Sequence, residues 1–191
     1  MKSKEESFIK RILKGWLYLL GGTMMNMWFC TVMVGVFRGS VLITLLVGIA
    51  AIVIVNGLFF NYSYNAGKLD RELIKFHGKE KNFSMPVKMA LLVPLPHYIM
   101  YTALILAKAG VIVSSGSNYF LSYYILANLH VLPWVSLFTD ARTTDSLSWG
   151  GAAGLLLILI IEPAVIFITY ICTLNSIDIK ALLYYGKNKD K

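Results

Sequence analysis

The chain has 191 residues, 57% of them hydrophobic and only 15% charged, with a mean hydropathy of +0.65. That balance excludes an ordinary soluble domain and fits one compact polytopic membrane bundle. The net charge of +8 does not indicate nucleic acid, because no recognition motif or basic–aromatic platform accompanies it.

The cations are unevenly placed. Lys2, Lys4, Lys10, Arg11 and Lys14 lie at the N-terminus, and Lys68, Arg71, Lys75, Lys79, Lys81 and Lys88 in segment 62–88. Lys180, Lys187, Lys189 and Lys191 lie in the C-terminal tail. Basic clusters beside apolar runs are expected of cytoplasmic segments facing anionic lipid. Cys30 and Cys172 both fall inside apolar runs, which indicates no disulfide framework.

Residues 1–15 put Phe8, Ile9, Ile12 and Leu13 on one helical stripe, with Lys10, Arg11 and Lys14 beside it. That pattern predicts an interfacial amphipathic helix leading into the first span. The first apolar run is too long for a signal-peptide core and is read as a retained span. Spans are predicted at about 16–36 and 41–61, joined by a short turn at 37–40. The polar segment 62–86 is expected to be a cytoplasmic loop, with a short membrane-lying helix at KLDRELIKFH.

A third span is predicted at about 87–112, bent by Pro94 and Pro96 near its start. Residues 119–138 are apolar enough to span but carry Ser122, Asn128, His130, Pro133 and Ser136. Were they to cross, the lysine-rich tail would fall outside, against the positive-inside tendency. A re-entrant or interfacial segment on the outer side is therefore expected, with five spans as the alternative. The last span is 150–173, followed by a cytoplasmic tail at 174–191. The expected fold is a single all-α membrane domain of four transmembrane helices, with the N-terminal interfacial helix.

Glu162 is the only acidic residue in the run from Gly150 to Thr173, and Pro163 follows it. A carboxylate near mid-bilayer must be neutral, paired or facing a wet cavity, and a proline inside a helix frees a carbonyl. If the third span runs outward and the last inward, His97, Tyr98 and Tyr101 share the depth of Glu162. A histidine and a buried carboxyl can exchange a proton, so Glu162 with His97 is the expected substrate or proton site, with Tyr101 and Tyr98 beside it.

Asn26, Asn56 and His130 are candidates for lining a polar cavity. Gly150 and Gly154, four apart, offer a small-residue face for close helix packing. HExxH, GxSxG and GxxxxGK[ST] are all missing, so no catalytic residue is assigned. Asp140 and Asp145 bracket Arg142, which would neutralise one carboxylate, and no metal site or cofactor is expected.

These features predict a small transporter or transporter subunit with a midplane polar site around Glu162 and proton coupling. The alternative is a non-catalytic subunit or scaffold that docks on a larger complex through its glycine-rich last helix, and a membrane-embedded enzyme ranks third. The expected partners are the lipid bilayer and either a second copy or a larger membrane complex. The Ile, Lys and Asn bias suggests a bacterial cytoplasmic membrane with both termini inside, and the KxKxx-like tail makes the endoplasmic reticulum membrane the alternative.

Overall fold

A computed structural model describes residues 6–36, 40–112, 116–138 and 141–177. The expected turn at 37–39, Asp140 and the lysine-rich residues 178–191 lie outside the described residues. Everything regular among the described residues is helical. The helices are α1 (Phe8–Val36), α2 (Val41–His77), α3 (Ser84–Leu92), α4 (Leu95–Lys108), α5 (Phe120–Ala127), α6 (Leu132–Phe138) and α7 (Trp149–Leu174).

Among the described residues, α2 and α7 are long and apolar enough to cross a membrane, and the bent pairs α3–α4 and α5–α6 qualify as joined units. That pattern fits a helical membrane protein and makes a membrane location plausible. The outer surface agrees with it: Trp28, Leu42, Val53, Leu157 and Ile168 are all exposed. Such an apolar belt would be an aggregation liability in water and is the ordinary surface of a protein in lipid.

Residues 8–15 form the first turns of α1 rather than an element of their own, and Arg11 is turned inward, only 1% exposed. Residues 62–77, read from the sequence as a loop with its own short helix, continue α2 without a break. No proline interrupts them, and the single glycine there, Gly67, is covered by α7. The helix stops where Gly78 takes the left-handed conformation, φ 65, which costs glycine little. At the other end the Ser40 side chain caps α2 by accepting from the Ile43 N–H.

The bend expected at Pro94 is present, with α3 and α4 meeting at 49°. A sharper break of 99° separates the two limbs of 117–138. Asn128 leaves the helical region there (φ −128, ψ 57), and Pro133 has no N–H with which to continue the ladder back to Leu129. The 3-10 turn between the limbs, Leu129–Val131, is wholly buried.

Two main apolar clusters meet along α7. One gathers Phe59, Tyr62, Met89, Val93, Ile166 and Tyr170; the other gathers Leu104, Leu121, Tyr124, Val135, Leu155 and Leu159. Glu162 falls between Leu159 and Ile166, at their junction.

Candidate functional site

Glu162 sits 13 residues after the first residue of α7 and 12 before the last, so about 18–20 Å of helix lies on either side at ~1.5 Å per residue. It is fully buried. His97, in the first turn of α4, places Nδ1 2.9 Å from both carboxylate oxygens. His130, from the turn between α5 and α6, brings Nε2 to 3.3 Å from Oε1. That approach misses hydrogen-bond geometry, leaving both ring nitrogens of His130 without a hydrogen-bond partner. The two imidazoles face each other with centroids 5.4 Å apart, and the donor atoms of all three residues lie within 4.8 Å of one another.

Local backbone chemistry explains how α4 is held against α7. Pro163 cannot donate to the carbonyl four residues back, so the Leu159 oxygen is freed. The Tyr98 hydroxyl donates to that oxygen at 3.4 Å. The Tyr101 hydroxyl donates to the Ala152 carbonyl at 2.9 Å. His97 and Tyr101 are four apart and share a helix face, so the tyrosine anchors that place α4 also aim the imidazole. His130 depends instead on the break at Asn128: a straight helix through 117–138 would carry it past the carboxylate.

The structure therefore gathers Glu162, His97 and His130, with Tyr98 and Tyr101 as supports. His130, read from the sequence as a candidate for lining a polar cavity, reaches the central carboxyl. The sequence reading expects no metal site, yet these three side chains converge as metal ligands do. No local motif announces them, because they come from three separate segments.

Asn26 stands apart, donating to the carbonyls of Gly22 and Ala51 and so tying α1 to α2, with the Cys30 thiol donating to its Oδ1 at 3.8 Å. Asn56 donates back to Ile52 within its own helix. Gly154 is crowded by Phe138, whose ring would stand 2.8 Å from an added Cβ, whereas a Cβ at Gly150 would meet only the Ser148 hydroxyl, at 4.0 Å. Trp134 packs on Gly48 and donates to its carbonyl at 3.3 Å.

A second buried polar cluster escapes the sequence reading. Arg11 makes a two-pronged ion pair with Asp70, at 2.8 and 2.6 Å, and the Tyr170 hydroxyl also donates to Asp70. The Lys79 ammonium lies 3.6 Å from the same carboxylate. Two further side chains near the first site were also missed. The buried Tyr124 hydroxyl and Asn128 Oδ1 have no hydrogen-bond partner, and Tyr124 lies within electrostatic reach of Glu162. One signal for Asp70 was available: Ser63, Ala66, Gly67 and Asp70 form a buried stripe on one face of α2.

A buried carboxyl flanked by two imidazoles can pass a proton between carboxylate and ring nitrogen, or hold a cation in place of that proton. Comparison with protein-family models, curated proteins and solved structures found no match for this chain.

Proposed function

We propose that the protein is a small membrane transporter whose working site is the Glu162 carboxyl with His97 and His130. The observation carrying this reading is the fully buried Glu162 held 2.9 Å from the His97 imidazole in the middle of α7. Charge-capable groups at that depth are costly and are kept where ions or protons move.

In this reading α1, α2, the bent pair α3–α4 and α7 cross the bilayer. The α5–α6 pair is re-entrant: it enters from the outer side, turns at Leu129–Val131 and returns. Its 99° break supports that assignment over a fifth crossing, and backbone that leaves the helical pattern at this depth is covered by protein, as it must be. The start of α1, the polar end of α2 and the end of α7 meet through Arg11, Asp70 and Tyr170. The basic segments next to them assign that end to the cytoplasm, in a bacterial plasma membrane.

Transport is coupled to protons through His97 and Glu162. Purified protein in liposomes loaded with a pH-sensitive dye, under an imposed potassium diffusion potential, should carry protons faster than empty liposomes. Glu162→Gln should reduce the flux to the empty-vesicle rate. A Glu162→Gln rate equal to wild type would remove the proton role.

The second reading, a subunit that docks through a glycine-rich α7, draws on Gly150, which is exposed and where an added Cβ would meet only the Ser148 hydroxyl, at 4.0 Å. Gly154 offers it less support, because Phe138 of the same chain already covers that glycine.

A further inference from the structure

The chain has three histidines, and two of them meet the one buried acid of α7. We propose that His97 Nδ1, His130 Nε2 and the Glu162 carboxylate form a binding site for one divalent first-row transition ion of the zinc and cobalt class. The proposal rests on the transport reading only for the ion's role as cargo; the site itself stands on geometry.

Spacing is the first argument. Ligands of a tetrahedral ion with bonds of 2.0–2.1 Å stand about 3.3 Å from one another. Here the carboxylate is 2.9 Å from one imidazole nitrogen and 3.3 Å from the other. Two imidazoles and one carboxylate, with a position left open, is also a donor set that suits borderline ions. Calcium and magnesium prefer a shell of oxygens.

Charge is the second argument. Asp70 has the Arg11 guanidinium as its counter-ion, whereas the cationic partners open to Glu162 among the described residues are the imidazoles of His97 and His130. A bound dication would give an ionised Glu162 a fixed positive partner, which an imidazole supplies only while protonated. Unspent hydrogen-bonding capacity is the third. His130 is buried with neither ring nitrogen engaged, and His97 Nε2, the buried Tyr124 hydroxyl and Asn128 Oδ1 are also free. Buried polar atoms are seldom left so. With the lone pair of His130 Nε2 on the metal, its proton sits on Nδ1. With His97 Nδ1 likewise on the metal, its ring proton sits on Nε2, and no redox change is involved.

The test is cobalt(II) titration of the full-length, tag-free protein in mild detergent, followed by visible absorption and by metal analysis after desalting. One cobalt per chain is expected, with d–d bands that zinc(II) abolishes. His97→Gln, His130→Gln and Glu162→Gln should each weaken binding beyond the ~10- to 100-fold that loss of an outer-shell partner costs. The exposed His77 serves as control, and His77→Gln should bind as wild type does. Circular dichroism and gel filtration confirm that each variant is folded, and a bound ion should also raise the wild-type melting temperature.

Absence of the bands in folded wild type overturns the proposal, as does a band that survives in folded His130→Gln or is lost in His77→Gln. Cobalt binding without either proton or cobalt flux in liposomes would leave the site standing and remove the transport reading. Glu162-dependent flux without cobalt binding would do the reverse.

Discussion

The two buried carboxyls among the described residues, Asp70 and Glu162, solve the same problem in opposite ways. Asp70 accepts both prongs of Arg11 and the Tyr170 hydroxyl, and Lys79 stands close by. Nearly every lone pair it offers is taken, and its charge is matched inside the protein. Glu162 is as deeply buried, yet its neighbours are two imidazoles whose protons are negotiable. A saturated ion pair locks α1, α2 and α7 together at one end. An unsaturated carboxyl at mid-helix is a place where something can be exchanged. Burial of an acid does not by itself signal function; what matters is whether its partners complete it.

The contrast predicts different penalties for isosteric neutralisation. Asp70→Asn leaves the Arg11 charge buried without its counter-ion, and breaking a pair of this kind costs about 3–5 kcal/mol. Glu162→Gln strands no permanent cation and should cost less than about 1.5 kcal/mol, while the proposed proton role requires it to stop proton flux. Reversible SDS titration in mixed micelles reads both numbers. Equal penalties for the two variants would break the comparison, and so would a stable Asp70→Asn protein.

A smaller effect tests how the lock is built. Gly67 lies one turn before Asp70, and a Cβ there would stand 2.9 Å from the Tyr170 carbonyl oxygen and 3.1 Å from Thr173. Backbone cannot step aside as a side chain does, so Gly67→Ala should push α7 away and weaken the Tyr170–Asp70 contact, at about 1–3 kcal/mol. Gly57, on the same helix, meets nothing within 4 Å, and Gly57→Ala should stabilise α2 by about 0.5–1 kcal/mol. If the two variants shift stability in the same direction, Gly67 is not the spacer that lets Tyr170 reach the ion pair.

Legibility followed the range of the interactions. The apolar runs of α2 and α7 were readable because length and hydropathy are local properties, as was the bend at Pro94, which one missing N–H brings about. Glu162 and His97 could be singled out because each is an anomaly in its own run and depth along a helix can be counted. The reach of His130 could not, since it depends on how far the chain turns at Asn128. Arg11 was misplaced for a related reason: beside Lys10 and Lys14 it reads as one more surface cation, and only the path of α2 past residue 61 gives it a partner. Composition marked Asp70 as part of a basic, polar stretch, although the small residues before it hint at a buried face.

The finest test concerns the seam between α4 and α7, where a backbone defect and a side chain correct each other. Pro163 removes the donor that the Leu159 carbonyl would have had, and Tyr98 supplies another at 3.4 Å. Tyr98→Phe alone should cost about 0.6 kcal/mol, the usual scale for a hydrogen bond between membrane helices. In a Pro163→Ala background the restored N–H of residue 163 satisfies Leu159 within the helix, and the same substitution should then cost almost nothing. The double-mutant cycle isolates that coupling. A cost for Tyr98→Phe that is unchanged by Pro163→Ala would mean the hydroxyl has some other duty. The contact would then be incidental to the proline, and the placement of His97 beside Glu162 would have to rest on Tyr101 alone.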